Sequence, residues 1–106
     1  MGLKELLAGP DVNRGVEEFK KTSGAVLIDV RTAQEFAQGH IPGSINVPLQ
    51  AIIRVEEEVP QKDTPIFVYC LSGARSRRAA AFFEKLGYSE VRNIGGISAY
   101  KGELVQ

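Results

Sequence analysis

The stretch over residues 65–86 constrains the fold most, because it predicts a buried strand, a tight loop and a helix in direct succession. Residues 65–69 are apolar, rich in β-favouring side chains and too few for an ordinary helix, which indicates a strand buried on both faces. Farther along, apolar residues recur at the helical spacing i, i+3, i+4 and i+7, and the pattern ends at Gly87; they are Ala79, Phe82, Phe83 and Leu86. The only cysteine, Cys70, therefore lies at the carboxyl end of the strand, and residues 70–75 form the loop that opens into the helix.

A thiol in this loop is predicted to ionise more readily than a free cysteine. The first N–H groups of a helix have no partner inside it, and the helix dipole adds partial positive charge at the same end. The cation of Arg75 adds to both effects, while Ser72 and Gly73 let the backbone curl closely around the sulfur. The alternative is that Cys70 is an inert core thiol, since free cysteine is among the most buried residue types.

Strands and helices alternate along the rest of the chain, which predicts an α/β fold with helices on both faces of a mostly parallel sheet of about five short strands. An apolar run over residues 25–30, broken only by Asp29, indicates a further strand, and short strands are predicted at 45–47 and 91–94. Helical patterns cover about 11–21, 32–38 and 49–59. At 106 residues, with no repeat or linker, the chain is predicted to form one domain over residues 1–106, with an N-terminal arm over residues 1–10. In sheets of this kind ligands bind beyond the carboxyl ends of the strands, where Cys70 and Asp29 both lie.

Short sequence signals predict where several elements begin and end. Thr32 and Glu35 have the spacing of a capping box, in which each side chain satisfies the other residue's backbone N–H at a helix start. Residues 3–8 could form one or two helical turns before a Gly-Pro pair interrupts them. After a later glycine pair, a closing helix is expected near residues 97–101.

Residues 11–102 resemble the rhodanese, or sulfurtransferase, family in three stretches. The active-site loop of that family is similar to CLSGARS at residues 70–76, and its first signature is similar to VLIDVR at 26–31 followed by GHIPGSINVP at 39–48. Its C-terminal segment is similar to GGISAY at 95–100, where many members carry tryptophan in place of Tyr100. The resemblance implies the rhodanese-like three-layer fold and sulfur-transfer chemistry at Cys70.

The chemistry that the resemblance implies is a double displacement. The Cys70 thiolate attacks the outer sulfur of thiosulfate or another persulfide donor, sulfite or a thiolate leaves, and cyanide or a thiol accepts the sulfur from the Cys70 persulfide. Because the chain has no second cysteine, the acceptor must come from outside, as a small thiol or a protein. The resemblance implies no cofactor beyond this covalent persulfide.

The same resemblance implies the site residues, and some of their roles stay open. Cys70 is the expected nucleophile, and the N–H groups of Leu71, Ser72, Gly73, Ala74 and Arg75 are expected to hold the negative sulfur. The side chain of Arg75 either binds the anion or supports the loop through an ion pair with Asp29 or Glu35. Asp29 is a candidate supporting residue that accepts hydrogen bonds. Arg31 is a second candidate, and its side chain could face either into the site or away from it. Arg78 is a third, which either attracts an anionic donor or belongs to a solvated helix face.

Two other classes of protein are alternatives to a sulfurtransferase. Cysteine phosphatases and arsenate reductases, as families, have one residue more between cysteine and arginine than the six-residue loop 70–75, which opposes that class. A noncatalytic binding or regulatory module would keep the fold alone, although inactive members can lose the cysteine that this chain retains.

The only histidine, His40, lies in a tight turn and is interpreted as structural, as are Tyr69 and Tyr100.

Composition argues against several kinds of partner. Thirteen basic and thirteen acidic residues cancel, so the chain has no net field to attract nucleic acid or an anionic membrane. One cysteine and one histidine exclude an internal disulfide and a metal site of several thiolates or histidines. No apolar stretch approaches the roughly 20 residues that span a bilayer, and the N-terminus lacks a long apolar region. The protein is therefore expected in the cytoplasm, as a monomer or weak homodimer.

Overall fold

The computed structural model describes residues 9–106 and contains one sheet of four parallel strands. The strands are β1 (Val26–Asp29), β2 (Ser44–Asn46), β3 (Ile66–Cys70) and β4 (Val91–Gly96). Their order across the sheet is β2-β1-β3-β4, and every neighbouring pair is parallel, so the four carboxyl ends lie along one edge. The predicted α/β fold with a parallel sheet is confirmed.

Within the described residues 9–106, four α-helices and two short 3-10 helices connect and cover the strands. The α-helices are α1 (Val12–Lys21), α2 (Ala33–Gln38), α3 (Val55–Glu58) and α4 (Ala74–Lys85), and the 3-10 helices are Leu49–Arg54 and Ile97–Ala99. Within residues 9–106, no helix has the length and apolar character needed to cross a membrane.

Successive side chains of a strand point to opposite sides of the sheet, and each side is buried in its own hydrophobic cluster. One buried cluster includes Val68 and Cys70 of β3 with Ala79 and Phe83 of α4, and the other includes Phe67 and Tyr69 of β3 with Val12 and Val16 of α1. All five residues of β3 are buried, as its apolar sequence predicts. This alternation places the Cys70 side chain on the face that α4 covers.

Side chains cap the starts of α1 and α2. The hydroxyl of Thr32 accepts the Glu35 N–H at 3.1 Å, and the Glu35 carboxylate accepts the Thr32 N–H at 2.9 Å, which confirms the capping box of α2. At α1 the carboxylate of Asp11 accepts the N–H of Asn13 at 3.0 Å. Both caps bind backbone donors that would otherwise lack a partner.

The sheet has four strands within residues 9–106, where the sequence predicted about five. Beside these strands there is one isolated antiparallel bridge, between His40 and Val105, whose N–H and C=O groups bond reciprocally at 2.8 and 2.9 Å. The bridge is a single residue pair because Pro42, which has no N–H, and the turn at Gly43 follow His40 directly.

Two predicted helices are shorter than expected. The closing helix predicted near residues 97–101 is only the 3-10 turn Ile97–Ala99, because the side chain of Asn13 binds the Ala99 carbonyl at 3.0 Å and the Lys101 N–H at 2.9 Å. The helix predicted from residue 49 is divided between the first 3-10 helix and α3, with a kink at Ala51. The turns predicted over residues 3–8 lie outside the described residues, and the arm over residues 1–10 stays a prediction.

Candidate active site

The loop after β3 bends back so that its backbone faces the sulfur of Cys70. Gly73 precedes the first residue of α4 and has a φ of 106°, a left-handed conformation that glycine adopts without steric cost. In that conformation the Gly73 N–H donates to Sγ of Cys70 at 3.0 Å. The predicted ring of main-chain donors is therefore formed at least at this residue.

The electrostatic surroundings of Cys70 favour the thiolate despite deep burial. The residue is 1% exposed, and this burial alone would raise the pKa of the thiol. Hydrogen bonds from the side chain and N–H of Ser76, and from the N–H groups of Gly73 and Ser72, outweigh the burial and lower the pKa below its ordinary value. A thiol in a purely apolar core would have its pKa raised instead.

The loop is packed directly against the backbone of β4. A Cβ atom added to Gly96 would lie 2.6 Å from Cα of Ser72 and would also clash with the carbonyl oxygen of Leu71. That carbonyl accepts the N–H of Ser98 at 3.1 Å. Only glycine at position 96 allows the two backbones to approach this closely, so β4 fixes one side of the loop.

Arg75 supports the loop from its other side through an ion pair. Its Nη1 and Nη2 atoms donate to the two carboxylate oxygens of Glu35 at 2.8 and 3.1 Å. The hydrogen bonds and charge of Glu35 raise the pKa of Arg75, and Arg75 in turn lowers the pKa of Glu35 to about 2. The ion pair with Glu35, one of the two roles predicted for Arg75, is therefore present.

Asp29 and Arg31 form a buried pair at the carboxyl end of β1. The guanidinium of Arg31 donates to Asp29 at 2.7 and 3.0 Å and to the carbonyl of Gly39 at 2.7 Å. Burial opposes the charge of Arg31, but the bonds and charge of Asp29 prevail and raise its pKa. Asp29 is thus a hydrogen-bond acceptor, as predicted, and the contacts of Arg31 place it outside the loop around Cys70.

The remaining candidates divide into exposed and structural residues. Arg78 is exposed on α4, and its side chain makes no hydrogen bond or ion pair within residues 9–106. His40 stacks on Phe36 with a centroid separation of 3.6 Å, and its Nδ1 lies 2.9 Å from the carbonyl of Phe36. Tyr69 is buried, and its hydroxyl accepts the N–H of Ile41 at 3.1 Å.

Comparison with known proteins identifies the family. The model of the rhodanese-like domain matches residues 14–103, a range that contains β1, the loop after β3 and the glycine pair of β4. The chain belongs to the rhodanese-like domain family.

Individual rhodanese-like relatives and structures agree with this membership. A sulfurtransferase of Allochromatium vinosum is 42% identical over 79% of this chain and 78% of its own length. The thiosulfate sulfurtransferase PspE of Escherichia coli is 38% identical over 66% of this chain and 68% of its own length. The solved structure of a rhodanese with anions from E. coli superposes with a TM-score of 0.72 at 34% identity, covering 77% of this chain and 98% of that one.

Two polar residues of this rhodanese-like site were not predicted as site residues. Ser76 is fully buried and belongs to the inward face of α4. The spacing i, i+3 and i+7 of Ser76, Ala79 and Phe83 could have identified it. Asn93 of β4 contacts Ser76 and Gly73 across the sheet edge, and no pattern in the sequence indicates that contact.

A surface cavity of about 640 Å³ lies on the outer side of the loop. Its lining includes Ser72, Gly73, Ala74 and Arg77, but neither Cys70 nor Arg75. The sulfur of Cys70 therefore does not line this cavity, although residues 72–74 of the loop do.

Proposed function

We propose that this rhodanese-like protein is a sulfurtransferase that carries a sulfane sulfur as a persulfide on Cys70. With thiosulfate, the Cys70 thiolate attacks the outer sulfur, the S–S bond of the donor breaks, and sulfite leaves with the bonding electron pair. With an organic persulfide, the thiolate R–S⁻ leaves instead. An acceptor nucleophile then attacks the outer sulfur of the Cys70 persulfide and releases the Cys70 thiolate, so the reaction needs no redox partner or cofactor.

The donor set around the sulfur carries this proposal. The N–H of Gly73 lies 3.0 Å from Sγ, and further hydrogen bonds from Ser72 and Ser76 favour the charged form. A negative sulfur is both the nucleophile of the loading step and the leaving group of the unloading step. The same donors therefore support both steps without a side-chain base.

The other predicted residues take supporting roles in this proposal. The backbone from Leu71 to Arg75 holds the negative sulfur, and Arg75 keeps that backbone in place through Glu35. Asp29 and Arg31 stabilise the neighbouring end of β1. The exposed cation of Arg78 attracts an anionic donor toward the loop.

Thiosulfate or a persulfide is the proposed donor, and an external thiol or cyanide is the proposed acceptor. The names of the relatives support a sulfur donor of this kind, since PspE of E. coli is a thiosulfate sulfurtransferase. The superposed E. coli rhodanese was solved with anions, which agrees with an anionic donor. Because Cys70 is the only cysteine, no resolving thiol is available within the chain.

A noncatalytic rhodanese-like module is the second candidate, and one observation favours it. Cys70 is 1% exposed, as an inert core thiol would be. A binding module of this kind would keep the fold and the loop but would not accept sulfur from any donor.

Intact-mass measurement separates the two candidates. After incubation with thiosulfate or glutathione persulfide, the sulfurtransferase gains the mass of one sulfur atom, and cyanide or dithiothreitol removes it. The variant Cys70→Ser, matched in size, gains nothing. If neither donor adds a sulfur atom to the wild-type chain, the noncatalytic module is the correct function.

A further inference from the structure

The side chain of Asn93 joins three parts of the structure that meet beside the loop around Cys70. Its Oδ1 atom accepts the hydroxyl of Ser76 on α4 at 2.7 Å and the N–H of Gly95 on β4 at 3.0 Å. Its Nδ2 atom lies 3.5 Å from the carbonyl oxygen of Gly73 in the loop and donates to it. One half-buried amide therefore links the strand, the helix and the loop.

A bulge in β4 fixes the direction of the Asn93 side chain. Asn93 pairs with Val68 of β3, but the next pair is Gly95 with Tyr69, so Ile94 is an extra residue in β4. A bulged strand bends, and Gly95 has a φ of 103° at this bend. The N–H of Gly95 binds Oδ1 of Asn93, two residues before it, as in an Asx turn. The amide of Asn93 is thus held where β4 packs against the loop.

Three contacts lead from Asn93 to Gly73. The first is the bond from Nδ2 to the Gly73 carbonyl. The second passes through Gly95, because a Cβ atom added to Gly73 would lie 3.5 Å from Cα of Gly95, so the two backbones are close neighbours. The third passes through Ser76, whose Oγ lies 3.1 Å from the same carbonyl oxygen. Asn93 therefore restrains Gly73 from the side of β4.

The hydrogen bond from Gly73 to the sulfur of Cys70 depends on how this glycine is held. Its N–H donates to Sγ at 3.0 Å, and its backbone is left-handed, with a φ of 106°. A glycine has no side chain to restrict its backbone, so neighbouring contacts must hold this conformation. A hydrogen bond weakens steeply as the donor turns away from the acceptor. Loss of the Asn93 side chain would therefore loosen Gly73 and weaken its bond to the sulfur.

We propose that Asn93 is a positioning residue for Cys70, which holds Gly73 where its N–H binds the sulfur. Asn93 acts through Gly73 and is not itself a catalytic residue. The N–H of Gly73 stabilises the negative sulfur more than the neutral thiol, so Asn93 favours the thiolate. The consequence for sulfur transfer rests on the proposed function, in which the thiolate attacks the donor and leaves again during unloading.

The first test measures the ionisation of Cys70 without any sulfur donor, by the ultraviolet absorbance of the thiolate as a function of pH. Asn93→Ala is expected to raise the pKa of Cys70 by about half a unit, roughly a threefold fall in the ionisation constant. A residue that served folding alone would leave the pKa of the folded protein unchanged. Every variant keeps the charged groups around Cys70 and Asn93, which are Arg75 with Glu35, Asp29 with Arg31, and Asp11 and Arg77 on the wall of the cavity beside Asn93.

Asn46→Ala is the matched control, since it is the same change at another half-buried asparagine in a strand. Nδ2 of Asn46 donates to the carbonyls of Asp29 and Arg31 at 3.0 and 2.9 Å, and β2 and β4 are opposite edges of the sheet. This variant is expected to lose stability and to keep the wild-type pKa of Cys70. An equal rise of the pKa in both variants would trace the effect to general destabilisation and overturn the proposal.

A second measurement observes the hydrogen bond itself by nuclear magnetic resonance. The amide proton of Gly73 in the wild-type protein is expected to move to lower field as Cys70 ionises, because a charged acceptor strengthens the bond. The movement is expected to be clearly smaller in Asn93→Ala and equal to that of wild type in Asn46→Ala. A folded Asn93→Ala protein with the wild-type pKa and the wild-type movement of this proton would overturn the proposal.

The variant Asn93→Gln decides the question if the alanine variant does not fold. It keeps the amide and adds one methylene group, for which the cavity that Asn93 lines has room. The displaced amide cannot bind Gly95 and Gly73 as before, so the pKa of Cys70 is again expected to rise. An unchanged pKa in this variant would then overturn the proposal.

Loading rates connect Asn93 to sulfur transfer. In single-turnover mixing with thiosulfate, the pH midpoint of the loading rate for Asn93→Ala is expected to rise by the same amount as the absorbance midpoint, while the limiting rate at high pH does not fall. A lower limiting rate with an unchanged midpoint would indicate a structural residue and overturn the proposal. Failure of the wild-type chain to load sulfur from thiosulfate or glutathione persulfide would refute the proposed function, while the absorbance and resonance measurements would still decide the role of Asn93.

Discussion

Arg75 and Glu35 bind each other through two parallel hydrogen bonds, at 2.8 and 3.1 Å, that join the first turn of α4 to the start of α2. The same carboxylate also accepts the N–H of Thr32 in the capping box. One side chain therefore fixes both a helix end and the arginine of the loop around Cys70, which makes Glu35 a point where stability and site geometry can be tested together.

Acid should remove the contribution of Glu35 to folding in a defined pH range. Arg75 lowers the pKa of Glu35 from its ordinary value of 4.5 to about 2, so the stabilisation is fully present above about pH 4.5 and is lost as the pH falls toward 2. Glu35→Gln keeps the acceptor for the cap but loses the charge. We expect this variant to be about 1 kcal/mol less stable than wild type in urea at pH 7, and the difference to vanish near pH 2. A difference that does not change with pH would contradict the ion pair.

Breaking the buried pair of Asp29 and Arg31 should cost more than breaking an exposed one. Asp29 is 0% exposed, so Asp29→Asn or Arg31→Met leaves a buried group without its partner, and we expect a loss of about 3 kcal/mol or more in the free energy of unfolding. Arg54→Ala, in an exposed pair with Glu58, should change it by less than about 1 kcal/mol. The double variant Asp29→Asn/Arg31→Met should cost clearly less than the two single losses added together. Additive losses would show that the pair is not coupled.

Any side chain at position 96 should displace the loop. In Gly96→Ala the new methyl group would lie 2.6 Å from Cα of Ser72, so backbone has to move on one side or the other. We expect a loss of several kcal/mol in the free energy of unfolding, together with a Cys70 pKa shifted toward that of a free thiol. Gly24→Ala is the matched control, because Gly24 has a φ of 75° but open space around it, and it should cost only about 1–2 kcal/mol with no effect on Cys70. Similar costs in both variants would argue against the close packing of loop and strand.

Alkylation by iodoacetamide should distinguish the two interpretations of Cys70. Hydrogen bonds overcome the effect of burial on its pKa, so the pH midpoint of alkylation in the native protein should lie below that of the same thiol in the urea-unfolded chain. Because Cys70 is 1% exposed, the limiting rate at high pH should be slower in the native state than in urea. A native midpoint equal to or above the unfolded one would identify an inert core thiol.

Local chemistry made much of the fold predictable. The capping box at Thr32 and Glu35 and the strand that ends at Cys70 depend on residues close in sequence, and both were predicted correctly. The closing helix was predicted too long because Asn13, which is 86 positions before Ala99, binds the turn and redirects the chain. Contacts at such a separation leave no periodic signal in the sequence.

The candidate site was predictable in its centre and not at its periphery. The glycine in the left-handed region at position 73 and its N–H bond to Cys70 follow the expected curl of the loop. The contact of Ser76 with Asn93 joins residues 17 positions apart on different elements, and only the assembled sheet brings them together. Arg75 could be assigned to the loop from sequence, but its ion pair with Glu35 rather than with Asp29 depends on the position of α2.

Because the Cys70 sulfur is buried, the proposed persulfide would be more accessible to other proteins than the unmodified thiolate is. An S–S bond is about 2 Å long, so a sulfane sulfur on Sγ stands that much nearer to the path by which its donor arrived. Under the proposed function, a protein acceptor too large to contact the bare thiolate, which is 1% exposed, can still take the outer sulfur of the persulfide. After such a transfer the bare sulfur is again inaccessible to the acceptor, so the Cys70 thiolate cannot attack the acceptor's new persulfide and displace hydrosulfide to form a mixed disulfide.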